Sequence, residues 1–174
     1  NIFDSTKRFH GLGERDRLLL QIAVTLHACG KFISMKNSNE CGYALIMSTE
    51  IIGLSHLERE IIANVVRYNI RDFDYDMMQL ETEAGQDLAG VSDRTAITIL
   101  IAKLTAILRL ANSMDKTHKA KLIDSRMAVR DGRLVITTGY QGDLALESAS
   151  FEQKAAFFEE IFGIRPVLKQ KRRV

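Results

Sequence analysis

Leu18-Leu19-Leu20-Gln21-Ile22-Ala23-Val24-Thr25-Leu26-His27-Ala28-Cys29-Gly30 is the stretch from which the rest of the chain is read. Leu18, Leu19, Ile22, Ala23 and Leu26 recur at helical spacing and predict a buried helix over 15–29. It presents a single histidine, His27, near its end. Gly30 follows, and a glycine there can adopt the left-handed conformation that closes a helix.

The pattern continues outward as helix. A second helix is predicted over 39–51, with Tyr43, Leu45, Ile46 and Met47 inside it. Ser55-His56-Leu57-Glu58 has the form of a capping box, in which a serine oxygen caps a backbone N–H and a glutamate reaches back to the serine N–H. The helix it starts carries Leu57, Ile61, Ile62, Val65 and Val66 and ends near Tyr68-Asn69. Phe73, Tyr75, Met77, Met78 and Leu80 allow one more helix, weakened toward Gly85 and Gly90. Ser92 or Asp93 then caps the longest helix, which runs to about Asp115 and is apolar on most sides, as a central helix would be.

After His118 the period changes. Met127 to Arg130, Asp131-Gly132 and Arg133 to Thr137 read as a hairpin with a tight turn. Gly139 and Gly142 mark a turn before a strand over 143–147. Ser150 with Gln153 reads as another capping box, opening a helix to Phe162 that Gly163 closes, and 164–168 is a final strand. The expected architecture is mainly α: a helical bundle over 1–120, then a small α+β subdomain over 121–174 in the order β-β-β-α-β.

Composition narrows the class. At 174 residues and 46% apolar, the chain is long and apolar enough for a folded core. The longest apolar run, 96–110, is interrupted by Lys103 and Arg109, so a membrane span is not expected. No basic region followed by an apolar run marks a signal peptide. Cys29 and Cys41 lack metal-type spacing and read as small apolar residues in a reduced, cytoplasmic protein. The chain begins at Asn1 with Ile2 and Phe3 exposed, which reads as a piece of a longer polypeptide. His10 is expected in a solvated turn.

The net charge of +2 does not argue for nucleic acid, but its distribution is uneven. Lys116, Lys119, Lys121, Arg126, Arg130 and Arg133 stand against Asp124 and Asp131, and the chain ends Lys169-Gln170-Lys171-Arg172-Arg173. These charges read either as solvated faces or as a surface that attracts a polyanion.

His10-Gly11-Leu12, Leu18-Leu19-Leu20, Leu26-His27, Gly30, Ile33-Ser34, Tyr43 to Ile46, Gly53-Leu54-Ser55, Glu58 to Ala63 and Val66-Arg67-Tyr68 together resemble the C-terminal part of exopolyphosphatase/guanosine pentaphosphate phosphohydrolase (Ppx/GppA) proteins. Leu108-Arg109-Leu110-Ala111-Asn112 is similar to that family's leucine-arginine-leucine-alanine-aspartate segment. The resemblance covers most of 10–120. It implies an HD-domain-like helical bundle, and a parent hydrolase that releases terminal phosphate from polyphosphate or guanosine pentaphosphate. Catalysis would belong to an N-terminal actin-like ATPase-type region, with a divalent metal there. The part at hand would help to bind polyphosphate and to form a homodimer.

Metal-dependent HD phosphohydrolases hold metal with a His-Asp pair and further imidazoles and carboxylates. Here His27 matches the histidine, but Ala28 stands where the aspartate would, and the late aspartate position falls on Asn112, with Asp115 one turn on. The resemblance therefore implies a degenerate site: no catalytic residue, no metal and no cofactor in this chain. Phosphate contacts are expected from Arg67, Lys116, His118 and Lys119. Two alternatives remain open: an active HD phosphohydrolase on a nucleotide, with His27, Asn112 and Asp115 holding a metal, or a purely structural dimerisation module.

Overall fold

A computed structural model describes residues 1–75, 78, 80 and 91–171, without the side chains of 91–93. Among these, α1 (Ile2–Ser5), α2 (Lys7–His10), α3 (Glu14–Leu26), α4 (Ser38–Met47), α5 (His56–Tyr68), α6 (Val91–Met114) and α7 (Ala145–Phe162) dominate. Three strands, β1 (Arg126–Arg130), β2 (Arg133–Thr138) and β3 (Arg165–Gln170), form one sheet. The mainly α fold with a small β portion agrees with the expectation. Of the helix allowed around Phe73 to Leu80, residues 73–75 are described and are not helical, and most of the rest lies outside the described residues, as do Arg172-Arg173; α6 begins at Val91, so Ser92 and Asp93 stand inside it rather than at its cap.

The chain divides into two compact units: Gly13–Thr105, and Asn1–Leu12 with Ala106–Val174. The division falls within α6, whereas the sequence pattern suggested one cut near residue 120.

In the Gly13–Thr105 unit, α3 and α4 both pack on α5. The predicted capping box of α5 is present: Ser55 Oγ accepts from Glu58 N–H at 3.2 Å, and Glu58 Oε2 accepts from Ser55 N–H at 2.9 Å. The α5 face Ile61, Ile62, Val65 and Val66 is almost wholly buried. The opening stretch departs from expectation. α3 buries only Leu19, Leu20 and Ala23, while Leu18 and Val24 are exposed, and it ends at Leu26 with His27 still right-handed. Gly30 is not a left-handed cap. It sits in a 3-10 turn, Cys29–Phe32, where its missing Cβ lets the chain meet α4: a Cβ there would lie 1.8 Å from Ser38 O and 2.5 Å from Gly42 N.

Glu58 also takes a bidentate ion pair from Arg15, Nε–Oε1 at 2.6 Å and Nη2–Oε2 at 2.8 Å. The Arg15 guanidinium holds the Glu58 carboxyl down to about 2, against burial pushing it up, from an ordinary 4.5. A carboxylate depressed in the folded state contributes stability that is complete above its unfolded value and is lost as pH falls through the folded one. Melting temperature is therefore expected to fall between pH 4.5 and 2, and Glu58→Gln to flatten that part of the profile; an unchanged acid limb in the variant would overturn this.

In the other unit, β1 and β2 form the predicted hairpin, with Ala128 opposite Val135. Asp131 (φ 50°) and Gly132 (φ 70°) are both left-handed, as a type I′ turn requires. β3 pairs parallel to β2 after the α7 crossover. α7 buries Phe151, Ala155, Phe158 and Phe162, and β2 buries the alternate residues Leu134, Ile136 and Thr138. Pro166 is tolerated because β3 is an edge strand.

The expected strand at 143–147 is absent, so the order is β-β-α-β. Asp143 Oδ1 accepts from Ala145 N–H at 2.8 Å and starts α7 there, which leaves Ser150 inside the helix rather than at its cap. Ile2 and Phe3 are buried rather than exposed. His10 is buried too: Leu12 N–H donates to its Nδ1 at 2.9 Å, so Nε2 carries the proton and donates to Phe3 O at 2.8 Å.

α6 contains a 21-residue stretch, Arg94–Met114, long and apolar enough by composition to cross a membrane; its most apolar window has mean hydropathy 1.5, and 56% of that window is buried within the fold. From Leu104 to Leu110 every residue is buried, as in a core helix.

Candidate functional site: a basic cavity at the end of the sheet

The loop after α6 carries the expected cations, and the fold places some of them around one cavity. Its backbone is unusual: His118 (φ 52°) and Ala120 (φ 50°) are both left-handed without being glycine. Such residues persist only where surrounding bonds hold them, and they concentrate at functional sites. Here Asp115 Oδ1 accepts from Ala120 N–H at 2.9 Å, and Asp115 O accepts from His118 N–H at 3.0 Å.

A buried carboxylate anchors the same loop. Glu147 is fully buried on α7. It accepts from Thr117 Oγ1 at 2.5 Å and from Lys121 Nζ at 3.1 Å, and Lys121 also donates to Asp143 O at 2.9 Å. Burial pushes the Glu147 carboxyl up, but the Thr117 hydroxyl and Lys121 outweigh it and hold it below the ordinary carboxylate range.

The Gly139–Gly142 loop forms the opposite wall and is strapped to the end of β3. Gln170 Nε2 donates to Tyr140 O at 2.8 Å and to Gly142 O at 3.0 Å. Gln141 Nε2 donates to Lys171 O at 3.0 Å, and Lys171 N–H donates to Thr138 O at 2.9 Å.

Between these walls lies an open cavity of about 560 Å³, lined by Lys119, Lys121, Arg126, Tyr140 and Lys171 among others, with Asp124 as its acidic member. Lys121 is committed to Glu147. None of the ion pairs found among the described residues involves Lys119, Arg126 or Lys171. Three uncompensated cations against one carboxylate make an anion-attracting concavity.

Of the residues expected to contact phosphate, Lys119 lines this cavity; Lys116 and His118 are exposed on the same loop but do not line it. Arg67 belongs to the other unit and has its own acidic partner. Its Nη2 and Nε meet Glu40 at 2.6 and 2.9 Å, and its guanidinium lies 4.7 Å from the Tyr43 ring centroid. Arg71 adds a second contact to Glu40 at 3.2 Å, and the Arg67 hydrogen bond, more than any other group, holds the Glu40 carboxyl below its ordinary range.

The positions that the resemblance sets against an HD site are His27, Ala28, Asn112 and Asp115. His27 Nδ1–H donates to Val24 O at 2.6 Å, and Ala28 carries no donor atom. Asp115 is engaged with Ala120. Among the described residues there is no group of three or more His, Cys, Asp or Glu placed to hold a metal ion. Both cysteines are free thiols, and burial pushes the Cys29 thiol up.

Residues 1–154 match the family described as Ppx/GppA phosphatase, domain III. The chain belongs to the Ppx/GppA phosphatase family. No curated protein matches it. The match to domain III takes in Lys119, Lys121, Arg126, Tyr140 and Glu147, and ends within α7, before β3 and Lys171.

Sequence reasoning found the charges of this cavity but missed Tyr140, Thr117 and Glu147. Only the parallel pairing of β2 with β3 brings Lys171 beside Thr138. The one available signal was the pair of glycines flanking Tyr140.

Proposed function

We propose that this chain is a non-catalytic accessory part of a cytoplasmic Ppx/GppA phosphatase that binds polyphosphate and takes part in homodimer assembly. Its parent would release terminal phosphate from polyphosphate or guanosine pentaphosphate, with catalysis and any divalent metal in an N-terminal actin-like ATPase-type region. The observation that carries the binding role is the cavity with Lys119, Arg126 and Lys171 uncompensated around it. The observation that favours assembly is the run Phe32, Ile33 and Met35, 94%, 63% and 76% exposed.

A phosphate chain needs several cations in reach at once, and its attraction to an open site is screened by salt. A ligand that binds only the folded state at about 100 times its Kd stabilises by about 2.7 kcal/mol. For a chain of this size that corresponds to a rise of about 5–10 °C in melting temperature. Long-chain polyphosphate at low salt is expected to give such a rise, fading as salt increases. Lys119→Glu with Lys171→Glu is expected to abolish it while leaving the unliganded melt within about 1 °C, since both side chains are exposed. No shift at low salt, or a shift that persists at high salt, would overturn the binding role. Sedimentation equilibrium tests assembly separately: a monomer at micromolar concentration would remove that part of the reading.

A further inference from the structure

We propose that the cavity at the end of the sheet also binds single-stranded nucleic acid, with backbone phosphates on Lys119, Arg126 and Lys171 and a base against the ring of Tyr140. This rests on the reading of the cavity as a polyanion site, and adds to it a ligand that carries aromatic rings.

A bare phosphate chain has no use for an aromatic wall, and this cavity has one. Tyr140 lines it and is 37% exposed. The loop that carries the ring is held in place before any ligand arrives. The Tyr140 backbone N–H donates to Thr138 Oγ1 at 3.1 Å, and its carbonyl accepts from Gln170. The Gly142 backbone lies so close to the ring that a Cβ there would come within 2.6 Å of Tyr140 Oη and 2.7 Å of Cε1. Lys121 Nζ stands 6.0 Å from the ring centroid, fixed in turn by Glu147. A loop ordered in advance costs little to use on binding.

Size and spacing agree. A cavity of about 560 Å³ has room for a ring system as well as phosphates. The cations form a track rather than a point. Arg126 is in register with Thr137 on β2, which is in register with Lys169 on β3. Two strand spacings, about 10 Å, therefore separate the β1 cation from the end of β3. That spread suits successive phosphates of a strand better than a single phosphate group. Basic grooves with an aromatic platform bind single strands with little sequence preference, because every base has a π face.

The test uses the 174-residue chain and fluorescence anisotropy at low salt. The probes are a thymidine strand of about twelve nucleotides, within the range such grooves cover, an abasic strand of the same length and charge, and long-chain polyphosphate as competitor. The thymidine strand is expected to bind about 10-fold more tightly than the abasic one, as base stacking on an aromatic side chain predicts. Tyr140→Leu is expected to erase that difference and keep abasic binding, and Tyr140→Phe to preserve it. Polyphosphate is expected to displace both strands. Equal affinity for the two strands, or a preference that survives Tyr140→Leu, would overturn the proposal while leaving a polyphosphate site intact. Failure of all three polyanions to bind would remove the polyanion reading itself.

Discussion

Gly30→Ala is expected to destabilise the protein by about 3 kcal/mol, the upper end of what overpacking costs. The new Cβ would lie 1.8 Å from Ser38 O, 2.5 Å from Gly42 N and 2.8 Å from Ser38 C. All three are backbone atoms, so no side chain can rotate out of the way. The 3-10 turn and α4 must separate, and α4 is the helix that packs most closely with both that turn and α5. The loss corresponds to a fall of about 6–12 °C in melting temperature. Gly13→Ala is the matched control, because its Cβ would meet only Asp16 Oδ2, at 3.9 Å. Urea and thermal denaturation of the two variants provide the measurement. A Gly30→Ala protein as stable as Gly13→Ala would show that the close approach is not needed.

Glu147→Ala is expected to cost about 3 kcal/mol, because removing one partner of a buried pair strands the other. Thr117 loses its acceptor, and Lys121, whose side chain is 13% exposed, loses its carboxylate. The effect reaches the site as well as the fold, since those two residues hold the loop that carries Lys119 and Ala120. Affinity for polyphosphate should therefore fall in Glu147→Ala even though Glu147 does not line the cavity. Glu147→Gln keeps an acceptor for Thr117 and should recover part of both losses. Denaturation and a polyphosphate titration on the same preparations separate the outcomes: a destabilised variant with unchanged affinity would show that Glu147 does not position the site.

What the sequence revealed was local. The α5 capping box, the Asp131-Gly132 turn and the αL glycine at Gly163 each depend on a few neighbouring residues, and each was legible. Gly30 was legible as a special position but not for its reason, because the reason is the backbone of α4, several residues on. The Ser150/Gln153 pattern suggested a cap, but Asp143 had already started the helix. His10 looked solvated because nothing nearby announces that Phe3 O and Leu12 N–H close around it. The candidate site followed the same rule. Its lysines and arginines stood out as a run, while Tyr140 and Lys171 joined them only through strand register and the glutamine straps.

The unit that contains the sheet is assembled from the two extremes of the chain, with Gly13–Thr105 between them. α1 packs on β1, and more than a hundred residues of chain lie between the two. During synthesis, the residues before Gly13 emerge from the ribosome long before the hairpin they pack on exists. The intervening unit has all its own residues by Thr105 and can form first, which shortens the effective loop that the ends must close. Contacts between such distant residues form late and slowly. Until then Ile2 and Phe3 lack the β1 contact of the folded unit, and transiently exposed apolar side chains of this kind favour aggregation.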